Sequence, residues 1–414
     1  MTVLAAPAFL HRPAPSPLGS RTRIPVGLQI VLYAVILIYA AAFQQIRFLG
    51  VAALAAVAGA AALLWIPIAR RFVQPPLIAL AGVGAIYAVI SYLGILHWDT
   101  LLFAQSAILQ QCVYVFLLPI LVPVFAYYHE RVFLREKSFV YLDNAVFLLC
   151  CAVKIIPLLY GYINIGAAQL VNTEALFAFM LVRKIFYVKN VSVLLRFFLV
   201  FLVAITAASF QSVLVMGFLL ALVVMPKSGV VWLRIYIFGL TLIALVAIPF
   251  ANPIWNLDHN TGIRLFFWHD VIERVLSSWG IGQGFGTETI RPSFALDARD
   301  VVISSLESES FIMVGSHNAF FDAVYRMGVL GGGLLIYYFS DQVRSVLRGN
   351  PAGRSFDQWV VACLFTLLMV NVGLVSINFL LGSTFLMGWL AFRISTNFAS
   401  ERRAPKSLAL VTPA

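Results

Sequence analysis

Apolar residues run through this chain in long unbroken blocks, without the strict alternation of a half-buried strand. The blocks fall at residues 26–43, 48–69, 76–96, 108–128, 139–159, 172–188, 190–209, 211–226, 230–250, 317–342, 355–375 and 378–396. At about 1.5 Å of rise per residue, helices of this length approach or exceed the roughly 30 Å hydrocarbon layer of a bilayer. The pattern predicts an all-α, polytopic membrane protein of about 12 transmembrane helices, with the sixth to eighth blocks short or closely joined. Between the ninth and tenth blocks lies a polar, turn-rich segment at 251–316, too polar to cross a bilayer itself. The expected organisation is a disordered tail at 1–25, helices one to nine at 26–250, a large loop with an interfacial helix at 251–316, helices ten to twelve at 317–396, and a second tail at 397–414.

Composition narrows this further. The 414 residues are 62% hydrophobic and 11% charged, with a mean hydropathy of +0.96, which leaves too little polar surface for a soluble protein. A net charge of +11 would suggest nucleic acid in a soluble chain. In a membrane protein the same excess follows from basic residues kept on the cytoplasmic side, so no nucleic-acid partner is expected. The four cysteines, Cys112, Cys150, Cys151 and Cys363, fall inside apolar blocks and suggest neither a disulfide framework nor a metal site. Ala40, Ala41 and Ala42 look like a signal-peptide cleavage site, but the long basic, Pro-rich lead and the spanning length of the block favour a retained helix.

The basic residues also orient the chain. With the N-terminus inside, 20 of the 28 Lys and Arg fall on inner segments: Arg12, Arg21, Arg23, Arg70, Arg71, Arg131, Arg135, Lys137, Arg183, Lys184, Lys189, Lys227, Arg234, Arg344, Arg348, Arg354, Arg393, Arg402, Arg403 and Lys406. The short outer loops keep Arg47 alone. Both termini are therefore expected to be cytoplasmic and the 251–316 loop outside. That loop is net acidic, with Asp258, Asp270, Glu273, Glu288, Asp297, Asp300, Glu307 and Glu309 against Arg264, Arg274, Arg291 and Arg299. It is long enough to cap a cavity.

Candidate chemistry collects at the two ends of the loop. Leu265, Phe266, Phe267, Trp268, Val271, Ile272 and Val275 recur at helical spacing, with aromatics suited to the headgroup level. An interfacial helix that merely seals the bundle has this appearance too; Arg264 at its start adds a cation beside the water boundary. The alternating Gly280, Gly282, Gly284 and Gly286 form a turn that lets backbone approach another backbone or a ligand. No strand precedes them, so they are not a nucleotide fingerprint. Ser316 is the expected N-cap of the tenth helix, with His317 in its first turn. Helix N-terminal amides attract anions and favour a neutral imidazole, so a phosphate beside a proton-accepting His317 fits this place. A lone interfacial histidine is also an ordinary structural residue. Gly328, Gly331, Gly332 and Gly333 then allow close packing of the tenth helix.

At these residues the chain resembles the O-antigen ligase and Wzy-type polysaccharide polymerase superfamily of bacterial inner-membrane proteins. The likeness rests on Arg264 and Trp268 opening the loop helix, the Gly280 to Gly286 run, and His317, Asn318, Phe321, Gly328 and Gly331 after the loop. It also rests on layout, about nine helices, one major periplasmic loop, then two or three more. The resemblance implies a GT-C-like, inverting, metal-independent glycosyltransferase that needs no cofactor and takes a glycan from undecaprenyl pyrophosphate. It implies that Arg264 grips the pyrophosphate, that His317 activates the acceptor hydroxyl or orients the leaving phosphate, and that Asn318 and Gly284 lie in the substrate site. Placed cations would offset the charge gained by the leaving group, and a base near the incoming hydroxyl would add to the rate.

The chain departs from the family in one place. Members commonly carry an Arg after a Ser in the helix following the seventh, where this sequence reads Ala208, Ser209, Phe210, Gln211. Candidates for the missing cation are Lys154 near the outer end of the fifth helix, Arg326 on the tenth, and Arg291 in the loop. Arg326 has a competing reading as the partner of Asp322, one turn earlier, and Lys154 has no local partner in the sequence. Arg196 is read as structural. Glu174, beside Asn172 and Thr173 at the mouth of the sixth helix, is a candidate acceptor-sugar ligand or base, with a structural hydrogen bond as its alternative.

The function expected from these signals is a polymerase acting on lipid-linked repeat units of an exopolysaccharide, capsule or O-antigen. The alternatives are a ligase moving the finished glycan to lipid A core or protein, and, from another class, a lipid-linked sugar flippase or other twelve-helix transporter. Transporters are commonly built from internal repeats, and the two halves here share no visible similarity. The expected partners are the lipid-linked oligosaccharide and membrane lipid, with a chain-length regulator and a flippase of the same pathway.

Overall fold

The computed structural model describes residues 24–46, 50–95, 105–159, 171–187, 210–225, 228–251, 253–254, 259–286, 317–348, 354–371, 374 and 379–403. Among the described residues there is no strand. Helices α1 (Val26–Ile46), α2 (Gly50–Phe72), α3 (Pro75–Tyr92), α4 (Gln105–Phe133), α5 (Lys137–Leu159) and α6 (Val171–Tyr187) lead to α7 (Phe210–Val224) and α8 (Gly229–Ala247). A 3-10 turn at Ile248–Phe250 extends α8. Then come α9 (His259–Ser277), α10 (Ala319–Arg348), α11 (Arg354–Thr366, running into a π turn at Leu367–Asn371) and α12 (Thr384–Arg403, entered through a π turn at Phe379–Ser383). The apolar blocks of the sequence coincide with these helices, except that 190–209 lies outside the described residues.

Among the described residues, four stretches are long and apolar enough to cross a membrane: Pro75–Tyr92, Gln111–Phe133, Gly229–Phe250 and Ala319–Arg348. Shorter apolar stretches lie on α1, α2 and α11. The described residues are thus all-helical and carry the apolar helices of a membrane protein.

Helix α4 lies deep in the bundle. Its apolar stretch is 78% buried, against 11% for the stretch on α8. It packs against α2, α3 and α12. Pro123 has no N–H to give the Pro119 carbonyl, and the Trp65 indole N–H on α2 donates to that oxygen at 3.1 Å instead. On α12, a Cβ at Gly388 would stand 2.5 Å from that of Phe125, so the small residue sets how closely α12 approaches α4. The outward faces are apolar too: Ile86 and Val89 on α3, Phe238 and Ile243 on α8, and Val329 and Leu330 on α10 are all exposed. So large an apolar exterior suits a hydrocarbon surround.

Ion pairs between helices mark one end of the bundle. Arg71 meets Glu130 at 2.6 Å, and Arg183 pairs with Asp143, which also accepts the Tyr128 hydroxyl at 3.0 Å. Arg393 meets Asp357 at 3.0 Å, and the Trp389 indole donates to the same carboxylate at 2.9 Å. The glycine loop after α9 lies at the other end, held by Tyr87, Ser91 and Gln111. Because α4 carries both Gln111 and Glu130, these ends stand about 29 Å apart along a helix axis.

Candidate functional site

The site is built from α9, α10 and the glycine loop between them. Helix α9 buries Leu265, Phe267 and Trp268 against Ile248 and Ala251, while His269 and Glu273 on its other side are exposed. This is the face the apolar spacing predicts. Arg264, half-buried, sits one turn before Phe267 and Trp268 on the same side of the helix.

Helix α10 starts later than expected. Its cap is Asn318, whose side-chain oxygen accepts from the amides of Phe320 at 3.0 Å and Phe321 at 3.1 Å. His317 therefore precedes the cap instead of lying in the first turn, and its φ of 54° puts it in the left-handed region. Ser316, the expected cap, lies outside the described residues. Two first-turn amides that the sequence offered to a phosphate are engaged by Asn318. The left-handed backbone costs on the order of 1 kcal/mol or more, and it turns the chain just before α10 begins.

The two helices then run side by side. The His317 and Phe267 rings stack at 6.3 Å with planes 19° apart, and Trp268 lies against Phe321 at 5.7 Å. Further along, an Arg274 Nη donates to the Tyr325 hydroxyl at 3.4 Å, and the Val329 amide donates to the Gly280 carbonyl at 2.8 Å. These contacts advance together along both chains, so α9 runs alongside α10 in the same direction. Apolar residues such as Leu265, Phe267 and Trp268 on its packed side face Ile248, Ala251 and α10 and hold it along the bundle.

The glycine loop closes the pairing. Helix α10 breaks at Met327 (φ −123°, ψ 18°) and Gly328 (φ 63°, ψ −170°), which frees carbonyls of the turn before. Gln283 N–H donates to the Tyr325 carbonyl at 2.6 Å and Gly284 N–H to that of Arg326 at 3.1 Å. The Phe285 amide reaches the Ser91 hydroxyl at 2.8 Å and the Gly286 amide the Gln111 side chain at 2.7 Å. A Cβ at Gly282 would stand 2.5 Å from the Gly328 nitrogen, and one at Gly328 would stand 2.3 Å from the Ile281 oxygen. The glycines thus serve approach of backbone to backbone. Gly331 and Gly332 were expected to admit neighbouring helices; instead they make room for Met327 and Val324 of the bent helix itself.

The remaining candidates divide. Gly284 is buried, with its amide and carbonyl both turned to Arg326. Arg326 is wholly buried, its guanidinium 3.5 Å from the Gly284 carbonyl and 5.1 Å over the Tyr325 ring, with the Asp322 carboxylate as its opposing charge. Both therefore have a clear structural duty at the kink, and the buried guanidinium is enclosed by protein. Asn318 is buried and its oxygen caps α10. Lys154 and Glu174 fall on α5 and α6, but their side chains, and the whole of Arg291, lie outside the described residues. Tyr87, Ser91, Gln111 and Arg274 join the site although the sequence did not single them out; a glutamine inside the apolar block of α4 was the available signal. Arg274 also pairs with Asp270 at 3.0 Å; burial pushes that carboxyl up from its usual range and Arg274 draws it partly back. Among the described residues no group of His, Cys, Asp and Glu is arranged to hold a metal ion.

No protein-family model, curated protein or solved structure matches the chain.

Proposed function

We infer that the protein is a membrane glycosyltransferase of the O-antigen ligase and polysaccharide polymerase kind, acting at the periplasmic face of a bacterial inner membrane. The observation that carries this reading is the seating of α9 against the start of α10. It sets the turn bearing Arg264 beside His317, although a long acidic loop separates them in the chain. A guanidinium on the first turns of α9 and an imidazole at the entry to α10 suit a ligand the size of a pyrophosphate with its attached sugar. Arg264 stabilises the charge gathering on the leaving diphosphate, and His317 takes the proton of the attacking hydroxyl or orients the phosphate. The bond that forms joins the acceptor oxygen to the anomeric carbon; the bond that breaks joins that carbon to the diphosphate oxygen.

In this reading the chain crosses the membrane twelve times with both termini inside. The ion pairs Arg71–Glu130, Arg183–Asp143 and Arg393–Asp357 each join helix ends that this alternation assigns to the cytoplasmic side, where the basic residues concentrate. Tyr87, Ser91 and Gln111, which hold the glycine loop, fall on ends assigned to the outside. The favoured activity is polymerisation of lipid-linked repeat units, and the donor is an undecaprenyl-pyrophosphate-linked oligosaccharide.

Sizing the lipid-linked glycans in cells lacking the protein tests this. A polymerase leaves single repeat units on the outer leaflet. A ligase leaves long lipid-linked chains without final attachment, and a flippase leaves units trapped on the inner leaflet. The last outcome, or an unchanged profile, overturns the glycosyltransferase reading.

A further inference from the structure

The stretch from α9 to Gly286 was expected to lie outside the bilayer, and its contacts fix its depth. Gln342 on α10 meets Gln74, at the start of α3, at 3.5 Å, which gives the two helices a common level. From that level Tyr87 on α3 and Val329 on α10 both lie about 20 Å along their axes. Those are the residues that hold the bottom of the loop: the Tyr87 hydroxyl donates to the Ile281 carbonyl at 2.5 Å, and the Val329 amide to that of Gly280 at 2.8 Å. Tyr92, the last residue of α3, is about 27 Å from the same level. The turn at Trp279 and Gly280 therefore lies well below the outer end of the bundle.

Exposed side chains along α9 change character in step with this descent. His269 and Glu273 come first; then Leu276 and, just past the helix, Trp279 and Ile281 stand exposed beside Val329 and Leu330 of α10, with Ser277 among them turning its hydroxyl to the Arg274 carbonyl at 2.9 Å. Trp279 is 92% exposed, at the tip of the turn. In water an indole with no cover among leucines, isoleucine and valine would be costly. Here the patch is continuous with the apolar outer faces of α3 and α10, both long enough to span a membrane. Irregular backbone at membrane depth is tolerated only where protein encloses it, and Gly282 to Gly286 are buried with their amides bonded to Ser278, Tyr325, Arg326, Ser91 and Gln111.

We propose that α9 and the glycine loop form a re-entrant hairpin, inserted into one leaflet, whose tip at Leu276, Trp279 and Ile281 is covered by lipid acyl chains. Helix α9 enters at its Arg264 end, turns at Trp279 inside the hydrocarbon, and the glycine loop returns toward the surface against α10, α3 and α4. About 20 Å of helix separates the tip from Arg264 and His317. The anchored tip thereby fixes how far above the hydrocarbon those two residues stand. The insertion itself does not depend on the chemistry assigned to them.

Nitroxide labels at Trp279→Cys and Leu276→Cys test the proposal, in the full chain with Cys112, Cys150, Cys151 and Cys363 replaced by serine or alanine. The protein is reconstituted into vesicles of phosphatidylcholine and phosphatidylglycerol, with Glu273→Cys and Val329→Cys as references. Labels at the tip should collide readily with oxygen, as at Val329→Cys, and lose most of the collisions with a water-soluble nickel chelate seen at Glu273→Cys. Nickel collisions equal to those at Glu273→Cys would put the tip in water. Few collisions with either reagent would mean that a second protein surface covers it. Either result overturns the proposal.

Discussion

At Gly282 and Gly328 two backbones touch where a methyl group would have no room, and both residues hold positive φ. Gly328→Ala would force a left-handed alanine against the Ile281 carbonyl. The expected loss is about 2 kcal/mol or more, read as a lower Tm of the detergent-solubilised protein. Gly333→Ala is the matched control, since nothing lies within 4 Å of its Cβ position, and its Tm should hold or rise slightly. Arg264 and His317 call for the opposite signature. Arg264→Ala and His317→Ala should leave membrane insertion and Tm near those of the parent while lowering transfer on the order of a hundredfold or more. Asn318→Ala should instead cost about 1 kcal/mol through loss of the α10 cap, and lower activity only as far as it displaces His317.

The helices were legible because a bilayer imposes long apolar blocks, and the blocks coincide with α1 to α8 and α10 to α12 wherever the chain is described. The relation of α9 to α10 was not. The same apolar stripe serves a helix lying flat in an interface and one standing against a bundle, and only the residues facing Leu265, Phe267 and Trp268 decide between them. The kink at Met327 and Gly328 was hidden for a related reason: glycines in an apolar helix commonly admit a neighbouring helix, whereas here their partner is another loop of glycines. Arg326 and Asp322 could be paired from spacing alone, yet the Gly284 carbonyl against the guanidinium could not. Between α11 and α12, the Asp357–Arg393 pair is buried on both sides. Asp357→Ala would strand the Arg393 guanidinium and the Trp389 indole, with an expected loss of about 3 kcal/mol or more in thermal unfolding.

Across the whole molecule, the ion-paired end and the glycine-loop end stand opposite each other on α4, and the basic residues gather toward the first. Reporter fusions should accordingly read cytoplasmic between α10 and α11 and periplasmic within 287–316, between α9 and α10. The central claim is that the α9–α10 pairing makes one site from a cation and an imidazole far apart in the chain. It is tested most directly by initial rates of glycan transfer from an undecaprenyl-pyrophosphate-linked donor by the purified protein, comparing the parent, Arg264→Ala, His317→Ala and the double variant, with Glu273→Ala as an exposed control. The account predicts a large loss for each single variant, a double variant scarcely worse than either, and a control at the parent rate. Single variants that transfer at the parent rate would contradict it.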